Sequence, residues 1–596
     1  MPPSKPHLRQ SRPDSSAAWG VLALVAITLL VFARSWSNPL IYDDLLKIVE
    51  NQDIRRLDLL STTLIYPYDA LASTWRNDPS RPLTYLIYAL CYHWAASSPW
   101  LYHLINTLFH AGCGVLIFRL GGKLLRPLWP QHATSASWCG ALLFVLAPIH
   151  AGTVLYAYGL SDILAALFVL AALNVLLGPE PWKGWRLLLG AVFFVFALAA
   201  KQSAVVLPLL YILLLGWQTG GGMNALQRYG GRYGPLLAIA AAYLFARWSY
   251  FGQMGDLEAF DQAFPRRAYA SVQGVVLGRY LLFNLLPMGL SVDHYVRPED
   301  YSILARVAAW GGWTVAVGAS LWVWARRGVG AWSFIAASIL VFVVVLAPTS
   351  TVFPTVDCLV ERRVYLANVG WYLLLGAGLA SWLTRLKHHQ PMANLILVAA
   401  TGFVASLLLA GTLQRQRVYQ SPVSVWQEAL SAYPENIRAR INLATALLDD
   451  HRCDEAAALL LPFLAQHPEH APAHVKLAMA YQDKACPHPD QALAYGEYQK
   501  AIALAPRDVV AVFNAAVLMT EQERWAEAEV LYEQALRLQP KLLYAYQGLG
   551  EIALRQQQWL KAQEAFRAAL RIDPSFQPAL VQLESVQKAA SLRPLP

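Results

Sequence analysis

Eleven apolar segments, each near the ~20 residues that cross a bilayer as a helix, fill most of the first 410 residues of this 596-residue chain. They fall at about 17–33, 101–120, 135–149, 156–177, 185–200, 203–217, 235–251, 303–324, 332–349, 364–383 and 393–410. Their weight shows in the whole: 56% of residues are hydrophobic, only 14% are charged and the mean hydropathy is +0.36. Soluble domains carry roughly a quarter charged residues. Disorder, collagen-like structure and a small disulfide scaffold are excluded, and two regions remain: a long polytopic membrane region and a soluble tail.

The formal charge of +9 would suit a nucleic-acid binder, but its distribution does not. Residues 411–596 carry 18 basic and 20 acidic groups, so an excess of +11 belongs to the apolar part. There, Lys and Arg set topology. Lys5, Arg9 and Arg12 precede the first apolar run. ARSWSNP after it is a poor cleavage site, so 1–16 read as a cytoplasmic tail before an uncleaved signal anchor. Arg119, Lys123 and Arg126, then Lys183 with Arg186, Arg228 with Arg232, Arg326 with Arg327, and Arg385 with Lys387 then fall in cytoplasmic loops. Residues 270–287 are apolar but hold Arg279 and Asn284, and a span there would reverse Arg326 and Arg327. They are expected to be re-entrant or interfacial. Eleven spans place the C-terminal domain outside, in a periplasm or equivalent lumen; the absence of any Asn-x-Ser/Thr sequon fits a bacterial inner membrane. The outer face then receives 34–100, 150–155, the turn at Lys201, 252–302 and 350–362.

Prolines 434, 468, 506, 540 and 574 recur at intervals of 34, 38, 34 and 34 residues. A 34-residue period is the tetratricopeptide repeat, a helix–turn–helix unit that stacks into an α-solenoid with a concave peptide-binding face. The register holds within units. Ala562, Phe566 and Ala569 precede Pro574, and Ala528, Tyr532 and Ala535 precede Pro540 at matching places. The expected fold is all-α: a polytopic membrane bundle over 17–410, a linker and front-capping helix over 411–434, four repeats over 435–576 and a capping helix over 577–596. The 38-residue unit carries an insertion near CPHPDQ. Of six cysteines, Cys91, Cys113 and Cys139 lie in apolar surroundings. Cys453 and Cys486 fall at helix-to-helix turns of adjacent repeats, where a disulfide can form if the domain is extracytoplasmic. No Cys/His spacing suggests a structural zinc.

The first outer loop begins NPLIYDDLLKIVENQDI, placing Asp43 and Asp44 about ten residues beyond the first span. Adjacent carboxylates beside a membrane are costly unless solvated, metal-bound or catalytic. The pair suits a general base toward a hydroxyl, a divalent cation site, or an acidic cap on the following helix. His103, Asn106 and His110 form a polar stripe on one helix face, suited to lining a cavity or to joining neighbouring helices.

The order of short motifs adds a resemblance. After the DD pair come RPLTYLIY at 81–88, YHLINTLFH at 102–110 and PIHAGTVLYAYGLSD at 148–162. AKQSAVVLPLL at 200–210, LLPMGLSVDH at 285–294, ERRVYLANVG at 361–370 and the repeats complete it. The chain resembles the transmembrane and tetratricopeptide-repeat protein O-mannosyltransferases and their bacterial relatives, of the GT-C glycosyltransferase superfamily. The resemblance implies a polyprenyl-phosphate sugar donor bound from the outer leaflet, and inverting transfer to Ser or Thr hydroxyls of an exported protein. Asp43 or Asp44 would be the base. A phosphate leaving group needs fixed cations, and the outer-face candidates are Arg81, Lys201, Arg362 and Arg363. His150, Asp162, Asp293, His294 and Glu361 join His103, Asn106 and His110 as cavity candidates. No cofactor is specified, and the Asp pair is compatible with either a divalent cation or a metal-free site. Relatives usually read HPIHTEAV, GRSD and KE where this chain has Ala147, Gly152, Leu160 and Gln202. The expected partners are the lipid-linked donor, membrane lipid and an acceptor protein on the repeats, with no nucleic acid. Two alternatives stand beside this: a non-enzymatic repeat scaffold anchored in the membrane, and a GT-C enzyme that modifies lipid or polysaccharide.

Overall fold

The computed structural model describes residues 15–591 apart from 52, 56, 58–77, 179–181, 221, 253–264, 351–354, 386–389 and 575. Residues 1–14 of the N-terminal tail, residues 52, 56 and 58–77 of the first outer loop, and Lys387 therefore lie outside the described residues. Among those described there is no β-strand. The chain divides into two compact units, Met1–Tyr433 and Pro434–Pro596.

The first unit runs from α1 (Ser15–Phe32) through α2 (Pro82–Ala95) to α3 (Pro99–Leu125). Next come α4 (Ala133–Val145), α5 (Pro148–Leu155), α6 (Leu160–Leu176), α7 (Trp185–Ala200) and α8 (Leu207–Gln218). The unit continues with α9 (Gly222–Arg228), α10 (Gly230–Phe251), α11 (Arg266–Leu285) and α12 (Ile303–Arg326). It closes with α13 (Ala331–Leu346), α14 (Asn368–Arg385), α15 (Gln390–Val418) and α16 (Pro422–Ala432). Proline opens α2, α3, α5 and α16, where its missing N–H costs nothing and its fixed φ suits the first turn. Between α4 and α5 it also breaks the ladder, and the two helices bend by 57°.

By length and composition, five described helices can cross a membrane: Ala17–Ser37, Pro99–Leu125, Ala157–Leu176, Ala331–Thr349 and Val398–Val418. The bent pair α4 and α5 makes six. That is short of the eleven expected, for physical reasons. Helix α7 has 16 residues and α8 has 12, and α10 carries Arg232 and Arg247 within its length. Segment 270–287, expected to be re-entrant or interfacial, lies almost entirely within one unbroken helix, α11.

Small residues let these helices touch backbone to backbone, the usual way of packing where lipid supplies no hydrophobic drive. A Cβ on Gly376 of α14 would land on the carbonyl oxygen of Ala136 in α4, and one on Gly140 would sit 2.7 Å from the Tyr372 carbonyl oxygen.

The second unit is a stack of helix pairs: α17 (Ile437–Asp449) with α18 (Cys453–Gln466), α19 (Ala471–Gln482) with α20 (Gln491–Leu504), α21 (Val509–Glu521) with α22 (Trp525–Leu538), and α23 (Leu543–Arg555) with α24 (Trp559–Ile572). Helix α25 (Gln577–Ser591) packs on the last pair. First helices also meet across units, α17 on α19, α19 on α21 and α21 on α23, as a solenoid requires. Ala515, Ala528, Ala535, Ala562, Phe566 and Ala569 are fully buried. Helix α16, expected to cap the front of the repeats, belongs instead to the first unit. Its Val425 is in that core, and Trp426 meets Tyr42 edge-on at 5.0 Å.

The crossing of α4 and α14 makes a direct prediction. Replacing Gly376 or Gly140 with Leu forces the helices apart at a cost of about 1–3 kcal/mol or more. The expected result is a lower melting temperature of the detergent-solubilised chain by intrinsic fluorescence, while Gly378→Leu, where a Cβ meets nothing within 4 Å, leaves it unchanged.

Candidate active site

The Asp pair emerges from a turn after the first helix. Tyr42 has φ 53°, a left-handed conformation rare for a bulky residue, and its ring rests against Trp426. The turn sends the two carboxylates different ways. Asp44 is fully buried and accepts hydrogen bonds from the backbone N–H of Ile41 (3.2 Å), Ala157 (3.3 Å) and Tyr158 (2.7 Å). Burial pushes this carboxyl up to about 8, against the lowering by those donors and with a further rise from the neighbouring Asp43 charge. Asp43 is half-buried, and its backbone N–H donates to the Tyr156 hydroxyl at 3.1 Å. Asp43 thus keeps an accessible carboxylate, while Asp44 is a clamp.

The clamp holds the turn Tyr156–Gly159, which other buried groups also satisfy. Asn106 donates to the carbonyl oxygens of Val154 (3.2 Å) and Tyr156 (3.0 Å), and Tyr88 donates to that of Ala157 (3.0 Å). On this turn Tyr158 stands between two guanidinium groups. Arg81 donates to its hydroxyl at 2.9 Å, and the Cζ atoms of Arg81 and Arg362 lie 5.4 and 5.8 Å from its ring centre. Arg81 also pairs with Asp78 at 3.1 Å.

Lys201 follows α7 in extended backbone, φ −158°, before the chain turns into α8. Thr84 donates to the carbonyl of Ala200 beside it, at 3.2 Å. Its ammonium meets Asp162 at 2.5 Å, and Arg362 approaches the other oxygen of that carboxylate at 3.9 Å. Asp162, Lys201, Ser203, Arg362, Arg363 and Tyr365 are among the walls of one cavity of about 30 Å³, room for a water or two rather than a sugar. Burial pushes Lys201 down to about 8; Asp162 opposes this, and Arg81 and Arg362 add to it. Burial would lower Arg362 as well, but Asp162, Asp43 and the adjacent tyrosines hold it above the ordinary guanidinium value. Arg363 donates to Thr355 at 2.8 Å. Arg362 therefore connects the parts: it approaches Asp162, which Lys201 meets, and Asp43 acts on its charge, although Asp43 does not line the cavity.

The other sequence candidates lie elsewhere. His103 contacts the Asn38 carbonyl (3.1 Å), while His110 contacts the Tyr365 hydroxyl (2.6 Å) and the Val145 carbonyl (3.1 Å). His150 is held between the Phe144 carbonyl (2.9 Å) and Asn368 (3.0 Å). With Asn106 these are buried polar groups joining helices and loops, and none lines the Lys201 cavity. Glu361 turns away from Arg362. It accepts from the Ser291 N–H (2.6 Å), meets His294 at 2.9 Å and approaches Arg415 at 4.0 Å. The buried Asp293 lies in this second network, its N–H donating to Ser291 at 3.3 Å. The Asp pair does not suit a divalent cation: the Asp44 oxygens are taken by backbone donors, and among the described residues no third His, Cys or carboxylate group completes a site with it.

Sequence reasoning missed Tyr156, Tyr158, Arg247 and Arg415. The aromatic turn YAYG was their best signal, since two tyrosines facing one way across an alanine invite guanidinium neighbours. Arg247, near the end of α10, is buried and adds positive potential at Asp78. Arg415 donates to the Leu290 carbonyl at 2.9 Å and to Glu428 at 2.5 Å.

The different roles of the two aspartates can be separated by stability. Asp44→Ala orphans three backbone donors and is expected to cost about 3 kcal/mol or more. Asp43→Asn is expected to stay within about 0.5 kcal/mol. Thermal unfolding of the two variants in detergent measures the difference.

The chain matches no family model. It is 25% identical over 495 residues to the human protein named protein O-mannosyl-transferase TMTC4, covering 72% of this chain and 64% of that one. It is 22% identical over 498 residues to the mouse protein O-mannosyl-transferase TMTC3, covering 78% and 53%. A Caenorhabditis elegans protein O-mannosyl-transferase, F38B6.6, is 20% identical and covers 72% and 60%. Among solved structures, Pseudomonas aeruginosa pilF is 26% identical, covers 26% of this chain and 68% of that chain, and has a TM-score of 0.24. A Thermus thermophilus tetratricopeptide-repeat protein is 18% identical, covers 30% and 95%, and has a TM-score of 0.26. The chain spans roughly half to two thirds of the length of the curated relatives it matches, and over about three quarters of its own length it is similar to proteins named protein O-mannosyl-transferases.

Proposed function

We propose that this chain is a GT-C-type membrane glycosyltransferase that moves a sugar, mannose by analogy with its relatives, from a polyprenyl-phosphate donor to Ser or Thr hydroxyls of exported proteins. The observation that carries the reading is the group of cations Arg81, Lys201 and Arg362, joined through Tyr158 and Asp162, with Asp43 near enough to Arg362 to act on its charge. A carboxylate beside clustered cations at a membrane surface has the parts for a single displacement. The acceptor oxygen attacks the anomeric carbon while Asp43 takes its proton. The bond to the lipid phosphate breaks with inversion, and Lys201, Arg81 and Arg362 hold the charge that develops there. Asp44 positions the Tyr156–Gly159 turn.

The eleven-segment topology belongs to this reading. Helix occupies each of the eleven segments; the cytoplasmic N-terminus, outer-face site and periplasmic repeats of a bacterial inner membrane rest on the distribution of Lys and Arg between the segments. The repeats would bind acceptor protein on their concave face.

The test is glycan analysis of exported proteins from cells carrying Asp43→Asn. Transfer is expected to fall ~10²–10⁴-fold, and an unchanged glycoproteome would refute the reading. A pH profile tests the cation cluster. Lys201 is charged below about 8 and loses its charge as pH rises through that value. The apparent donor affinity is therefore expected to decline above pH about 8, and Lys201→Arg, which keeps its charge, to extend the plateau to higher pH.

A further inference from the structure

The second repeat is built differently from its neighbours. The two helices of the other units are joined by three-residue turns at 450–452, 522–524 and 556–558, whereas α19 and α20 are joined by the eight residues 483–490. A long connection between short helices is a weak point in a solenoid, because each unit is held only by its neighbours. Here it is fastened to the turn of the preceding unit. The Cα atoms of Cys453 and Cys486 are 5.9 Å apart, within the range a disulfide spans. Both residues are buried, and the structure bonds their sulfurs. The groups around the bond are weaker ties. Asp483 meets His451 at 2.8 Å, and His488 meets Asp454 at 3.2 Å, but His451 and His488 are largely exposed, so these pairs contribute little.

We propose that Cys453–Cys486 is a disulfide latch, installed by a thiol–disulfide oxidoreductase, that fastens the 483–490 connection onto the 450–452 turn, and that the repeats consequently mature on the oxidising side of the membrane. In the step, the two thiols lose two protons and two electrons and form one S–S bond, while the disulfide of the oxidoreductase is reduced to its dithiol. The remaining cysteines, Cys91, Cys113, Cys139 and Cys358, are buried in the first unit and take no part. The bond closes a 33-residue separation around α18 and α19, so it restrains the unfolded chain of the repeats as well as the loop. This inference is independent of glycosyl transfer.

The same cluster offers a competing chemistry. The ligand atoms of Cys453, Cys486 and Asp483 lie within 4.8 Å of one another, and a reduced pair there would suit a soft divalent metal. The experiment must therefore read thiols and metal together. The full chain is isolated from membranes with its free thiols alkylated on lysis, then digested without reductant, and its zinc is counted by elemental analysis. The expected result is a linked peptide pair containing Cys453 and Cys486, no stoichiometric zinc, and both cysteines alkylated when the cell's periplasmic thiol oxidant is deleted. In Cys453→Ser/Cys486→Ser, hydrogen exchange of 483–490 is expected to rise at least ~10-fold while 509–572 keep their protection. Two alkylated thiols in protein from oxidant-competent cells would overturn the latch, and one zinc per chain with both thiols free would replace it by a metal site.

Discussion

The candidate site depends on one fully buried carboxylate, Asp44. Asp44 is buried where an unpartnered charge is prohibitive, and it is retained because three backbone N–H groups from two distant loops converge on it. By accepting from Ile41, Ala157 and Tyr158, it joins the end of the first helix to the aromatic turn between α5 and α6. The turn then fixes Tyr158, whose hydroxyl accepts from Arg81 and whose ring centre lies 5.4 and 5.8 Å from the Cζ atoms of Arg81 and Arg362. Without the clamp, the carboxylate of Asp43 and the cations would sit on loops with no common reference. Asn106 and Tyr88 complete the same turn from beneath, so the buried polar seam serves the site at one remove.

How much of this was legible varies with the interaction. The 34-residue period survives in three dimensions because small residues must recur wherever paired helices touch; Ala528 and Ala562 are both fully buried. Lys201 stood out because it interrupts two apolar segments, and it does meet Asp162. The dipeptide Asp43–Asp44 gave no means of telling the half-buried carboxylate from the fully buried one. That choice is made by the left-handed turn at Tyr42 and by partners more than a hundred residues away. The histidines misled for a general reason. His103, His110 and His150 satisfy backbone carbonyls inside a helix bundle, and a sequence does not distinguish such a histidine from one facing a cavity.

The departures from the relatives' usual motifs become physical statements. Where relatives carry Glu, Gly152 leaves space that the Tyr419 hydroxyl and Glu361 occupy. A Cβ there would lie 3.0 Å from the one and 3.4 Å from the other. Glu361, tied to His294 and near Arg415, thus supplies a carboxylate near the place where the acid of position 152 is missing. Leu160, in place of Arg, is buried in the core. The cation cluster is therefore assembled from Arg81, Lys201 and Arg362 without it.

Helix α16 alters how the molecule divides. Its Trp426 supports the strained Tyr42, Glu428 pairs with Arg415, and beyond its end Tyr433 meets His294 at 2.9 Å. A truncation at the last membrane-facing residue, the natural place to cut by hydropathy, would remove the prop behind the carboxylate pair while leaving every charged side chain of the cluster intact. The first compact unit ends at Tyr433, and the repeats begin at Pro434. The boundary between the two compact units thus lies some twenty residues further along the chain than the edge of the oily region.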